Sequence, residues 1–250
     1  MKSIQPFKNL SQYLNLIHLI TQKNLTEPYA FSLALHTQEN PKEILINRNY
    51  FKNLYPSMRF VVANQTHSDN IYVIKNKKSL GWENIDDAIE NCDALISNQT
   101  NIMLTILTAD CVPILLFDPI NNVVAAVHAG WKGTKEEIIF KTILKMQEDF
   151  NSNPKNIIAG IAPSIGKCCY EVDWNVAQHF QKVKNSYTHE GEKYMLDLPY
   201  INKLQLLKAG LKEENIELSQ VCTACEVDSY FSYRKEQGCS GRFMSMIGLN

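Results

Sequence analysis

Three apolar runs in close succession, Ile102–Thr108, Val112–Asp118 and Asn122–His128, constrain the fold of this chain more than any other feature. Each has the length of a strand, and Asp118-Pro119-Ile120-Asn121-Asn122 supplies the turn between the last two. Arg59–Ala63 and Asn70–Ile74 read as further strands flanking a polar loop that carries His67, and Asn156–Ala162 as another buried strand. Thr134-Lys135-Glu136-Glu137 has the capping-box spacing, and Ile138, Ile139, Thr142, Ile143, Met146 and Phe150 follow at helical intervals. Pro199–Leu211 predicts a second helix that stops near Gly210, Leu14–Ile20 a helical stretch containing His18, and Lys75–Glu90 a long surface loop. The expectation is a single mixed α/β domain over residues 1–250, with layered β-sheets flanked by helices and the strand order left open.

Composition narrows the functional classes. At 250 residues the chain is near the upper limit for one hydrophobic core, and 45% hydrophobic with 20% charged residues describes an ordinary globular protein. A net charge of −1, with Lys and Arg scattered, gives no basic face for nucleic acid. No stretch approaches the ~18 apolar residues of a membrane span. Met1-Lys2-Ser3-Ile4-Gln5-Pro6 lacks the features of a signal peptide. Seven cysteines, an odd count, form no disulfide framework, so reduced thiols in a cytoplasmic setting are expected.

Three segments place a metal-ligand type beside a strand end: Asn64-Gln65-Thr66-His67-Ser68, Thr108-Ala109-Asp110-Cys111-Val112-Pro113 and Val127-His128-Ala129-Gly130-Trp131-Lys132-Gly133-Thr134. Two imidazoles and a thiolate suit zinc, and three protein ligands leave a fourth position for water or substrate. The spacing fits no short metal pattern, and each residue has an ordinary explanation when taken singly. Cys111 is also a small buried hydrophobe, and His128 a strand-end histidine with one backbone partner. Ala129–Thr134 runs from a strand end into a helix, where Gly130, Gly133 and free N–H groups suit an anion and Lys132 adds charge. An ordinary strand-to-helix turn needs the same glycines. Arg48, Arg234 and Arg242 are further anion-binding candidates.

Whole phrases carry a resemblance. Gln65-Thr66-His67-Ser68, Cys92-Asp93-Ala94-Leu95, Thr108–Pro113, His128–Gly133, Gly160–Gly166, Cys169-Tyr170-Glu171-Val172, Phe231-Ser232-Tyr233-Arg234 and Gly241-Arg242 resemble the signature segments of the YfiH-like, laccase-domain purine nucleoside phosphorylases. They occur in the family's order from about residue 45 to the C-terminus, while residues 1–44 match weakly. Lys132 departs from the pattern, where Arg is expected; it keeps the charge and loses bidentate geometry. The resemblance implies an α/β fold with zinc held by His67, Cys111 and His128. It implies phosphorolysis of adenosine, inosine and methylthioadenosine, with deamination of adenosine as a second reaction. Arg48, Lys132, Gly133 and Arg242 become the expected substrate-binding residues, and purine nucleosides and phosphate the expected partners.

Other readings stay open. The laccase label suggests copper at the same donors and a polyphenol oxidase. Six histidines, several without context, do not build a multicopper set. A metal-free hydrolase or amidase acting on cell-wall precursors would use Cys111 as nucleophile and His128 as its base. Cys222-Thr223-Ala224-Cys225 has zinc-knuckle spacing but no second such pair, since Cys168 and Cys169 are adjacent, so no structural metal is expected there. His18 reads as a packed residue, and His36, His179 and His189 have no supporting context. The oligomeric state is open, with a homodimer compatible.

Overall fold

Every residue of Ile102–Thr108, Val112–Asp118 and Val123–Ala129 is buried, so the three central strands are covered on both faces. The computed structural model describes residues 3–4, 7–76, 78–238 and 241–250. Met1, Lys2, Gln5 and Pro6 of the N-terminal segment, Lys77 of the expected loop, and Cys239 lie outside the described residues. Among the described residues no helix is long and apolar enough to cross a membrane.

The central strands divide between two sheets. Ile102–Thr108 joins a five-stranded sheet in the order Ser3–Ile4, Leu16–Thr21, Phe243–Leu249, Ile102–Thr108, Arg59–Val62, parallel only at its last pair. Val112–Asp118 and Val123–Ala129 form an antiparallel hairpin in a six-stranded mixed sheet, ordered Ile216–Leu218, Ile158–Ile161, Val112–Asp118, Val123–Ala129, Ala94–Ser97, Ile71–Val73. A smaller sheet combines Glu171–Val172, Lys193–Leu196 and Tyr187–Glu190.

Side-chain alternation turns the sheets into layers. Leu95, Leu115, Phe117, Val124 and Ala126 face Leu104, Ile106, Phe243 and Ile247 across the gap between the two large sheets. The opposite face of the six-stranded sheet, with Ile96, Ile114, Leu116 and Val127, packs on Ile138, Ile139, Ile143 and Met146 of the helix Ile138–Phe150 and on Ile201 and Leu206 of the helix Leu198–Lys208. The outer face of the five-stranded sheet, with Leu19, Phe60, Met103, Met244 and Met246, meets Phe51 of the helix Pro41–Leu54. This is the layered α/β architecture expected from the sequence.

Two local expectations are corrected. Leu14–Ile20 is not helical: Leu16–Thr21 is a strand because Phe243–Leu249, at the far end of the chain, pairs with it. His18 within it is packed as expected, accepting from the Phe7 N–H at 3.4 Å, and burial pushes its pKa down to about 4. The capping box does not form either. Thr134 lies inside a short helix, Trp131–Lys135, and Glu137 takes a left-handed φ of 58° before the long helix begins. Thr134 is buried and bonded elsewhere: its Oγ1 accepts from Asn202 Nδ2 at 3.0 Å and its carbonyl from Gln205 Nε2 at 2.7 Å.

Arg48 is fully buried in this framework, not in a ligand site. Its guanidinium donates to the carbonyls of Leu33 at 2.9 and 2.7 Å, of Gly81 at 2.7 Å and of Trp82 at 2.6 Å. The residue was an anion candidate because sequence cannot show that three carbonyls already occupy its donors. Burial pulls its pKa down to about 9, which leaves it charged at neutral pH. It clamps the Leu33 and Gly81-Trp82 segments to the helix Pro41–Leu54. Each carbonyl orphaned by Arg48→Met costs about 1–3 kcal/mol, so the variant should lose at least ~3 kcal/mol in urea unfolding. A loss below ~1 kcal/mol would show that water or repacking satisfies these carbonyls.

Candidate functional site

The Asp93 carboxylate gathers three chain segments. It sits at the start of the Ala94–Ser97 strand, fully buried. Its oxygens accept from the N–H groups of Thr66, His67 and Ser68 at 3.2, 3.1 and 2.7 Å, and from Ser68 Oγ at 2.6 Å. His128 Nδ1 donates to Asp93 Oδ1 at 2.7 Å, and the His128 N–H to the Asp93 carbonyl at 2.7 Å. Burial opposes charge on the carboxylate, but the His128 and Ser68 hydrogen bonds outweigh it and hold the pKa down to about 2. One anion thereby folds the loop of His67, held at a φ of 61°, over the end of the Val123–Ala129 strand.

Cys111 completes the cluster from the turn between Ile102–Thr108 and Val112–Asp118. Asp110 takes a left-handed φ of 92°. It is held there as its carboxylate accepts from Thr223 Oγ1 and from the Arg234 N–H, both at 2.7 Å, and its carbonyl from the Ile165 N–H at 2.8 Å. Cys111 Sγ lies 3.7 Å from His67 Nε2, and one ligand atom from each of His67, Cys111 and His128 falls within 4.8 Å of the others. The two imidazole rings stand edge to face with centroids 4.8 Å apart.

Gly130 shows how tightly the cluster is built. A Cβ there would meet His67 Cδ2 at 2.9 Å and Cys111 Sγ at 3.1 Å, so the backbone itself forms the floor. Gly133 packs differently: its Cβ would meet the Ser68 carbonyl at 3.1 Å, so it supports the His67 loop from below.

The donor set fits a metal. Two ring nitrogens and a thiolate are borderline-soft ligands, and the hydrogen bond to Asp93 fixes His128 Nδ1 and leaves Nε2 to bind. Burial opposes charge on Cys111, but His128 and His67 outweigh it and bring the thiol down to about 6. Burial likewise opposes charge on His128, yet the Cys111 thiolate and Asp93 raise it to about 9. The cluster therefore carries a ligand-ready thiolate at neutral pH.

The three side chains line a cavity of about 580 Å³, a size suited to a small organic ligand. Tyr170, Tyr233 and Trp131 give it aromatic walls, and Asn64, Gln65, Thr108 and His36 give polar ones. Thr108 Oγ1 is buried with no hydrogen-bond partner among the described residues. Burial, then Arg242, Arg48 and His128, push His36 down to about 4, so it is neutral. Arg234 and Arg242 supply the positive charge. Arg234 lies over the Tyr170 ring at 5.4 Å, with one N–H donating to the Glu171 carbonyl at 2.8 Å, and Arg242 lies 5.8 Å from the Tyr233 ring centre.

The family model described as multi-copper polyphenol oxidoreductase laccase matches residues 21–250. The purine nucleoside phosphorylase YlmD of Bacillus subtilis (strain 168) is 32% identical over 228 residues, covering 88% of this chain and 82% of that protein. The adenosine deaminase RL5, from an unknown prokaryotic organism, is 35% identical over 197 residues, or 75% of this chain and 74% of that protein. The crystal structure of YlmD from Geobacillus stearothermophilus superposes with a TM-score of 0.93 at 28% identity, covering 100% of this chain and 97% of that one. The chain belongs to the YfiH/YlmD laccase-domain family. It is an enzyme.

Within this laccase-domain chain, His67, Cys111, His128 and Arg242 meet at the cavity, with Arg234 beside them. Lys132 does not reach it. It is exposed, its Nζ 5.8 Å from the Trp131 ring centre on a five-residue helix. Arg48 and Gly133 serve the framework. Asp93 lies inside a quoted phrase without a role, since its donors come from two distant places in the chain, Thr66–Ser68 and His128. His36 and Tyr170 carried no signal that composition or spacing makes visible. Asp93→Asn should weaken metal binding about 10–100-fold in chelator competition, because a neutral amide no longer anchors His128. Unchanged affinity would show that Asp93 organises only the backbone.

Proposed function

We propose that this chain is a zinc-dependent purine nucleoside phosphorylase that also deaminates adenosine. The observation that carries the reading is the His67–Cys111–His128 donor set at the floor of a cavity with aromatic walls and two arginines. The relatives named as a phosphorylase and a deaminase support both reactions. Adenosine, inosine and methylthioadenosine are the proposed substrates, and the cytoplasm, where Cys111 stays reduced, is the proposed setting.

His67, Cys111 and His128 would hold zinc, which when bound supplies a Lewis acid at the cavity floor. In phosphorolysis a phosphate oxygen bonds to the sugar C1′ as the bond to the purine nitrogen breaks, and that electron pair leaves on the base, which takes up a proton. Arg234 and Arg242, both anion-binding candidates from the sequence, bind and orient the phosphate. Tyr170, Tyr233 and Trp131 offer flat faces to the purine. Neutral His36 and Thr108 Oγ1 offer hydrogen bonds to base or sugar. Burial pushes the Tyr170 phenol up, so it stays protonated and donates.

Copper suits the same three donors, but the family's multicopper label has little else to draw on. All six histidines are described, and only His67 and His128 share a ligand set. A second reading has one observation in its favour. A thiolate at Cys111 beside a raised His128 is also what a nucleophile–base hydrolase or amidase needs. Metal content separates the two, since Cys111→Ala should lose one zinc per chain, and an unchanged zinc content would contradict the site.

Two activity measurements test the chemistry. Adenine formation from adenosine should require inorganic phosphate, whereas inosine formation should not. Adenine released equally fast without phosphate would mean hydrolysis. Arg242→Gln should raise KM for phosphate about 10–100-fold while deamination changes much less, because a charge-assisted hydrogen bond contributes about 1.5–3 kcal/mol. Lys132→Ala, at an exposed position, should leave that KM within about twofold. The reverse ranking would return the phosphate to the short helix at Trp131–Lys135.

A further inference from the structure

We propose that Cys168, Cys169, Cys222 and Cys225 form a second, structural metal site that holds one zinc ion by four thiolates. The four sulfurs lie within 4.8 Å of one another, at the meeting of two loops separated by more than fifty residues of chain. Cys225 Sγ is 3.6 Å from Cys168 Sγ and 3.5 Å from Cys169 Sγ. A disulfide needs ~2.05 Å, so these are not bonded sulfurs. Four thiolates around zinc, each at ~2.3 Å, place neighbouring sulfurs ~3.8 Å apart at the corners of a tetrahedron. The observed spacing is close to that of a tetrahedral four-sulfur site, which selects zinc among common divalent ions.

The surroundings agree. The Gly166 N–H donates to Cys222 Sγ at 3.2 Å, the kind of hydrogen bond that supports a ligating thiolate. A Cβ on Gly166 would meet Cys222 Cβ at 3.2 Å and Cys168 Sγ at 3.4 Å, so the backbone itself closes one side of the cluster. Cys222 and Cys225 supply a two-residue-spaced pair in a turn, where the Glu226 N–H donates to the Cys222 carbonyl at 2.9 Å. The turn through Gly166 brings the adjacent Cys168 and Cys169 to it, with the Cys169 N–H donating to the Gly166 carbonyl at 3.0 Å. Adjacency in sequence, which had argued against a site, is no obstacle when the partners come from another loop. None of the four is a packed hydrophobic cysteine: Cys168 and Cys225 are exposed, Cys169 and Cys222 partly so.

The site has a structural task. No regular element spans residues 162–170 or 219–226, and only the Ser164–Cys222 bridge ties the two loops by backbone pairing. Yet these loops carry Tyr170 of the cavity wall and Thr223, whose hydroxyl holds Asp110 beside Cys111. A four-thiolate zinc fastens both loops where no regular element spans them.

The test does not depend on the proposed activity. Cys111→Ala protein, purified without added metal, should retain one zinc per chain, and Cys168→Ser/Cys225→Ser in that background should carry none. Cobalt(II) added to the apo Cys111→Ala protein should give the strong thiolate charge-transfer and visible bands of a tetrahedral four-sulfur site. The Cys111→Ala protein should protect four thiols from alkylation until a strong chelator is added, which keeps the test open if the Cys168→Ser/Cys225→Ser variant does not fold. Cys111→Ala protein without zinc, a zinc that survives the Cys168→Ser/Cys225→Ser change, iron in its place, or a disulfide among the four would overturn the proposal. Native protein that carries one zinc per chain, unchanged by Cys111→Ala, would instead count against the catalytic metal site and leave this one standing.

Discussion

A single buried carboxylate organises the candidate active site. Asp93 accepts from three consecutive backbone N–H groups, a serine hydroxyl and an imidazole, and so fixes the His67 loop and the His128 ring together. A buried anion is costly unless its donors are in place, and here they come from segments that only the folded sheets bring together. The geometry of the site is thus coupled to the fold. The His67 loop cannot leave without stranding Asp93, and His128 cannot rotate without breaking the same network.

The sheets explain why the ligands converge. Cys111 sits in the crossing from Ile102–Thr108 of one sheet to Val112–Asp118 of the other, and His128 near the C-terminal end of the strand paired with the latter. Both strands are buried throughout, so their ends are rigid, and the loops that leave them form the cavity. Asp110 plays for Cys111 the part that Asp93 plays for His128. Its carboxylate binds Thr223 and Arg234, which ties the thiolate to the far wall. Gly130 leaves the space that the two ligands occupy.

Much of this was legible in the sequence wherever the signal was local or carried by a phrase. The strands Ile102–Thr108 and Val112–Asp118 follow from apolar run length alone, and the layered α/β class from their succession. The meeting of His67, Cys111 and His128 rested on resemblance, since their spacing fits no metal pattern. What escaped depends on contacts between distant segments. Leu16–Thr21 is a strand because of Phe243–Leu249, and Thr134 is a buried tether to Asn202 and Gln205 instead of a cap. Arg48 and Arg242 are alike as letters, yet one is consumed by backbone carbonyls and the other lines the cavity. The four-cysteine cluster was hidden by the same limit.

A metal-ready floor, a pair of arginines and aromatic walls share one cavity, and the reaction proposed there is attack of phosphate on a purine nucleoside. Phosphorus NMR of the purified, zinc-loaded protein with adenosine and inorganic phosphate tests this most directly. The account predicts that a sugar 1-phosphate signal grows in step with free adenine while inorganic phosphate declines by the same amount. Adenine appearing with inorganic phosphate unconsumed, or no adenine at all from zinc-loaded protein, would contradict it.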